Sequence, residues 1–237
     1  MTGTRRPNAH RTMPLPHNDS SAGSLTRDMV PHPLLNPVRL YTRAEVLSRP
    51  SVVPPAPGVY AWYFDVVPPN VPIGYAHRFD GHPLLYIGIS PSRPPANGKV
   101  PSRQNLSQRL RYHFRGNAEG STLRLTLGSL LAPQLGIRLT RVGSGTRLTF
   151  AEGESTLSDW MADHARVCWK PHEAPWEEEE RLIDALDLPL NLAGNKKHTF
   201  AAQLSAIRSA AKAQARTGPV SGAAFRPPFI TPPDSLQ

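Results

Sequence analysis

The 237-residue sequence predicts an α+β fold: a small, mainly antiparallel sheet of three strands flanked by helices, with an inserted β-hairpin and disordered ends. Three observations lead there. Residues 58–67 (GVYAWYFDVV) and 83–90 (PLLYIGIS) are dense in β-branched and aromatic side chains and lie between proline-rich stretches, which is how strands read. Several later segments carry apolar residues at helical spacing. Of 27 prolines, ten fall in residues 1–57, five after residue 218 and only four between 102 and 218, so a packed domain lies between proline-rich flanks.

The elements follow in order. Residues 1–45 form a proline-rich tail without periodicity, expected to be disordered; residues 42–47 can make one helical turn at its edge, with Thr42 and Glu45 as a capping box. The domain is placed at 46–216. The strands 58–67 and 83–90 can pair as a hairpin whose long tip is a loop over 68–82. A further loop spans 91–104. Residues 105–115 read as a helix with Asn105 as N-cap and Gln108 as its partner three positions on. A second helix covers 121–135, with Pro133 as a potential break. Segments 137–142 and 146–150 flank Gly143-Ser144-Gly145 and read as the inserted hairpin. Helix is expected over 155–164, a third main strand over 165–170, and helices over 174–186 and 200–215. Residues 217–237 form the second tail, also expected to be disordered.

Composition narrows the function. The lone Cys168 excludes an intramolecular disulfide framework and suits a reducing, cytoplasmic setting. No run reaches the roughly 18 apolar residues of a membrane span, and Arg5 and Arg6 precede no apolar secretory stretch. The net charge is +9. Between Arg93 and Arg147 there are ten basic residues and a single acid, Glu119, so this stretch equals the whole excess. A field of that kind suits a polyanion, most simply nucleic acid. No phosphate loop, dinucleotide fingerprint or nucleophile elbow is present. His164, Cys168 and His172 would share a face of one helix and could hold zinc. However, 165–170 reads as a strand and Pro171 prevents a helix from continuing past it, so a buried structural cysteine is the better reading.

Five elements, taken together, resemble the GIY-YIG endonuclease superfamily. Gly58-Val59-Tyr60 stands where the first signature tripeptide stands, and Tyr86-Ile87-Gly88 matches the second. Arg109 and His113 match the Arg-x-x-x-His/Tyr pair of the following helix. Glu179, followed by Leu182 and Ile183, and then Asn191 match the closing Glu and Asn. The resemblance covers roughly residues 56–195. It implies a GIY-YIG-like fold and a metal-dependent endonuclease that hydrolyses phosphodiester bonds in DNA or, as a lesser choice, structured RNA. The alternatives are a catalytically inactive nucleic-acid-binding protein, or a basic adaptor with proline-rich tails.

Helix geometry bears on the same residues separately. At about 100° per residue, Glu179 is centred among Trp176, Leu182, Ile183 and Leu186, while Glu177, Glu178 and Glu180 point away. Arg109 and His113 border an apolar stripe and so should rim a cleft, whereas Arg111 and Arg115 face outward, where phosphate contacts are natural. Tyr60, Trp62 and Phe64 share one strand face. Tyr60 and Tyr86 also fit core aromatics, and Asn191 also fits a cap.

The resemblance implies roles. Glu179 holds one Mg²⁺ or Mn²⁺, and Arg109 stabilises phosphoryl charge. Tyr60 or His113 is the general base, Tyr86 positions water or phosphate, and Asn191 holds the Glu179 end. Lys99, Arg103, Arg111 and Arg115 contact the nucleic acid. The lysine that several relatives carry after the second tripeptide is replaced here by Ile89-Ser90; Lys99 or Arg103 could supply that charge.

Overall fold

The structure, a computed structural model, describes residues 1–2, 32–97 and 100–221. The chain divides into residues 1–30 and a unit from Pro31 onward. Among the described residues, the second unit holds all the strands and helices.

Strand β1 (Gly58–Phe64) is its centre. All seven of its residues are buried, which is why the segment lacks the polar alternation of a one-sided strand. It pairs antiparallel with β3 (His82–Ser90) on one side and β6 (Ala165–Pro171) on the other. A fourth strand, β2 (Arg78–Phe79), pairs with the start of β3, giving the order β2-β3-β1-β6. The sheet therefore has four strands, not the three expected. The missed strand lies in the 68–82 segment assigned to a loop. With two residues it shows no alternation, but its turn was legible: Asp80 and Gly81 both have positive φ (50° and 79°), the Asp-Gly signature of a two-residue hairpin.

The two sheet faces are covered differently. Tyr60, Trp62 and Phe64 point into the larger core. There they meet α2 (Leu106–Arg115), α3 (Thr122–Leu135) and α4 (Gly153–His164). Val59, Ala61 and Tyr63 face a second core with Leu182 and Ile183 of α5 (Pro175–Ala185) and with Leu34 and Leu35. The Tyr63 hydroxyl donates to the Leu34 carbonyl at 2.6 Å. Packing thus reaches upstream of the 46–216 span, through residues 32–36 and through α1 (Arg43–Leu47), whose Thr42–Glu45 capping box forms as expected.

α2 starts on the Asn105–Gln108 capping box, both halves of which form. α3 runs on through Pro133 to a left-handed Gly136; a proline in the last turn removes little before a C-terminus already set by glycine. β4 (Thr140–Val142) and β5 (Arg147–Thr149) make the expected hairpin. β4 also pairs in parallel with β7 (Val220–Ser221), which comes after α6 (Ala201–Thr217). The remaining residues expected to be disordered, 3–31 and 222–237, lie outside the described residues. Among the described residues no helix is long and apolar enough to cross a membrane.

Candidate active site

The two tripeptides meet because β1 and β3 are paired. Their register sets Tyr60 opposite Gly88 and Trp62 opposite Tyr86. The Tyr60 ring lies over Gly88: a Cβ at residue 88 would stand 2.5 Å from the Tyr60 hydroxyl and 2.7 Å from its ring. Glycine is needed there for space, since one tyrosine occupies the position of the missing side chain. Gly58 is similarly constrained, by the Lys170 carbonyl of β6 and by Leu106 of α2.

Beneath the surface, Tyr60 begins a chain of hydrogen bonds. Its hydroxyl lies 2.8 Å from His113 Nε2, and His113 Nδ1 lies 2.8 Å from Ser121 Oγ. Ser121 is also the N-cap of α3, accepting from the Arg124 N–H. Arg109 Nε donates to the Tyr60 hydroxyl at 3.3 Å, and Nη1 donates to the Gly120 carbonyl at 2.9 Å. The expectation that His113 rims a cleft needs correction. The ring is fully buried, 0% exposed, on the inner side of α2 between Trp62 and Tyr60. Arg109 alone of the pair reaches the boundary, half-buried. Burial, together with the Arg109 and Arg124 charges, holds His113 well below the ordinary imidazole range. Burial pushes the Tyr60 hydroxyl upward; Tyr86 and Glu179 add to this and Arg109 opposes it. The resting pair is a neutral phenol against a neutral imidazole.

A cleft of about 400 Å³ opens beside Tyr86, and none of Tyr60, His113 and Arg109 lines it. Tyr86, Glu179 and Asn191 line it, with Thr122 and Thr126 of α3, residues 190–193, and Ser205, Arg208, Ser209 and Lys212 of α6. Tyr86 lies 3.4 Å from the Thr122 hydroxyl. Burial raises its pKa, and the nearby Arg109 and Arg208 charges oppose that rise. Asn191 is not free to reach Glu179. Its Oδ1 accepts from the Ile87 N–H at 2.9 Å and its Nδ2 donates to the Ile87 carbonyl at 2.8 Å. Leu190 N–H donates to the Leu85 carbonyl. The 188–192 segment therefore runs along the open edge of β3, and the Asn191 amide takes the place of a neighbouring strand's backbone.

The glutamate run needs a second correction. Two of the four face the protein, not one. Glu178 is the more buried, 5% exposed, and is held by Lys170 at 2.8 Å, His32 at 2.6 Å and Arg181 at 2.7 Å. Burial would raise its pKa, but the Lys170 and His32 hydrogen bonds outweigh that and bring it down to about 2. The helical wheel turns Glu178 outward; Arg181 lies on its own helix, but Lys170 of β6 and His32 lie on other parts of the chain, which one helix cannot reveal. Glu179 is different. Among the described residues it has no ion pair, and burial raises it to about 7, with Glu180 adding to the rise and Arg93 opposing it. It is the carboxylate that lines the cleft.

The basic stretch does not become one patch. Arg124 is fully buried and bound to Glu154 at 2.6 Å. Arg111 donates to the Leu47 and Ser48 carbonyls at the end of α1, at 3.3 and 2.6 Å, so its guanidinium is already used within the protein. Arg93 pairs with Glu180 at 2.7 Å. Arg103 and Arg115 are exposed, and Lys99 lies outside the described residues. No zinc constellation forms among the described residues: Cys168 is buried with its thiol toward the Leu34 carbonyl, and His164 pairs with Asp65.

Sequence reasoning missed the α6 wall. Its signal is the spacing of Ser205, Arg208, Ser209 and Lys212 at i, i+3, i+4 and i+7, set inside a helix that reads as merely alanine-rich.

Comparison with known proteins adds one finding. A family model described as the GIY-YIG catalytic domain matches residues 58–210, from the first residue of β1 into α6. No curated protein and no solved structure matches the chain.

Proposed function

Since the chain belongs to the GIY-YIG catalytic domain family, we propose that it is a metal-dependent endonuclease that hydrolyses phosphodiester bonds in DNA. The observation that carries this reading is a tyrosine–histidine–arginine chain on β1 and α2 together with a cleft lined by a glutamate that has no ion pair among the described residues. Those are a proton-handling unit and a carboxylate able to take a cation, two parts that metal-dependent hydrolysis of a phosphodiester uses.

The fit to a divalent ion rests on Glu179. A hard cation takes oxygen ligands, and Mg²⁺ keeps several waters while using one or two carboxylates. Among the described residues no group of three or more His, Cys, Asp or Glu could hold a metal, so Glu179 would hold a largely hydrated ion. When bound, such an ion supplies Lewis-acid stabilisation of negative charge on phosphoryl oxygens.

The protein's own groups do the rest. Arg109 shares its guanidinium between Tyr60 and the Gly120 carbonyl, and Nη2 has no hydrogen bond among the described residues. That nitrogen is the one able to meet a phosphoryl oxygen. Tyr60 takes a proton from the attacking water while passing its own to His113 Nε2; burial and the Arg109 and Arg124 charges oppose the protonated imidazole, and the negative charge of the bound phosphate offsets them. That transfer uses the tautomer with Nε2 unprotonated, in which Nδ1–H donates to Ser121 Oγ. Tyr86 orients water or phosphate in the cleft. Asn191 acts indirectly, by holding β3 and hence Tyr86 in place.

The test is cleavage of supercoiled plasmid by the full chain with Mg²⁺, Mn²⁺ or EDTA. The reading expects nicked and linear products with metal, none in EDTA, and loss of about a hundredfold in rate or more in Arg109→Ala, the usual cost of one positioned donor. Binding without cleavage in either metal would instead favour an inactive nucleic-acid-binding protein.

A further inference from the structure

We propose that α6 is a phosphate-gripping wall of the cleft: Arg208 and Lys212, with Ser205 and Ser209 beside them, hold a backbone phosphate of the nucleic acid away from the bond to be cut. The proposal rests on the nuclease reading and extends it to residues that neither signature tripeptide nor the Arg–His–Glu–Asn set includes.

Four observations carry it. All four side chains line the same cleft as Tyr86 and Glu179. The rotation of α6 is fixed by its apolar side, which the polar row borders: Ala201, Leu204 and Ala215 are buried, and Ile207 and Ala211 pack on the core. The polar row is thus held toward the cleft. Next, Arg208 is half-buried yet has no hydrogen bond or ion pair among the described residues, and Lys212 has none either. The contrast with other inward arginines is sharp: Arg124 is bound by Glu154, Arg111 by two carbonyls and Arg141 by the Gly218 carbonyl. A partly desolvated cation without a partner is unfavourable, and an anion supplied by a ligand removes the cost. Burial accordingly pulls the Arg208 pKa down, opposed by the neighbouring Tyr86.

Finally, the opposite charge in the cleft is not its partner. Glu179 comes from α5 and Arg208 from α6, no ion pair joins them among the described residues, and Tyr86 lines the same cleft. That arrangement suits an extended polyanion with one phosphate near Glu179 and Arg109 and another against α6. Two cations and two hydroxyls in a helical row supply the donors that backbone phosphates take.

The experiment is fluorescence anisotropy of a labelled DNA duplex with the full chain in EDTA, over a series of NaCl concentrations, followed by cleavage with Mg²⁺. The variants are Arg208→Gln, Lys212→Gln and Arg208→Lys. Arg216→Gln removes the same charge from an exposed position of the same helix and serves as control. Arg208→Gln and Lys212→Gln are each expected to weaken binding about tenfold and to lower the salt slope by about 0.9, the contribution of one phosphate contact. Arg208→Lys should keep the slope and recover part of the affinity, which also answers for a glutamine variant that fails to fold. Arg216→Gln should bind as the wild type does. Wild-type affinity and slope in both glutamine variants would overturn the wall and leave the nuclease reading intact. Wild-type binding that these variants lose, with no cleavage under any metal, would overturn the nuclease reading and leave the wall. A wild-type chain that neither binds nor cuts would overturn both.

Discussion

Glu178 and Glu179 are adjacent in sequence and held in opposite electrostatic surroundings. Glu178 sits among Lys170, His32 and Arg181, with its pKa down at about 2 against an ordinary 4.5. It therefore adds stability above pH 4.5 that is lost as pH falls through 2. Glu178→Gln should cost about 1–3 kcal/mol at neutral pH, read by urea denaturation. Glu179, raised to about 7 from 4.5, has the reverse sign. Its contribution is present below pH 4.5 and lost as pH rises through 7. Glu179→Gln should thus stabilise the metal-free protein by about 1–2 kcal/mol at pH 8, discounted because water reaches the half-buried carboxylate, and leave it unchanged near pH 4. The same titration governs metal binding: protons compete for the carboxylate below pH 7, so Mn²⁺ affinity measured by calorimetry should fall by about tenfold per unit of acidification there.

At the scale of elements, the site depends on a single strand pairing. β3 carries Gly88 under the Tyr60 ring, Tyr86 in the cleft and Ile87 bound to Asn191. Gly88→Ala would drive a methyl group into a tyrosine pinned by His113 and Arg109. The expected outcome is a loss of about 1–3 kcal/mol in stability together with most of the cleavage rate. Asn191→Ala would leave the Ile87 N–H and carbonyl without partners at a buried edge, at a cost of about 2–4 kcal/mol in thermal or urea unfolding. Much at this scale was legible in the sequence. The caps Thr42 and Asn105 announce their helices by chemistry, and the aromatic runs announce β1 and β3. β2 was too short for any pattern but its Asp80-Gly81 turn. The inward face of Glu178 was not legible, because a wheel knows its own helix and not the lysine on a neighbouring strand. The roles of Ser121 and of the α6 row were hidden for the same reason: they depend on which element packs in front of them.

Over the whole molecule, the charge of +9 is divided between structure and surface. The buried Arg124 joins three parts of the fold, donating to Glu154, Ser158 and the His113 carbonyl. Glu154 in turn accepts from the Ala118 and Phe150 N–H groups. Replacing Arg124 by methionine would strand that carboxylate, and about 3–5 kcal/mol of stability should go with it, visible as a lowered thermal midpoint. The basic run therefore identifies a nucleic-acid protein less directly than its sequence suggests. The cations proposed to meet substrate are few, and two of them, Arg208 and Lys212, lie outside that run.

The proposed assignment of Glu179 is tested most directly by metal-dependent plasmid cleavage with the wild type, Glu179→Gln and Glu178→Gln at one temperature where all three are folded. The expected result is a loss of about a hundredfold or more in Glu179→Gln and a rate within a few-fold of wild type in Glu178→Gln. Full activity in Glu179→Gln, or activity lost only in Glu178→Gln, would contradict it.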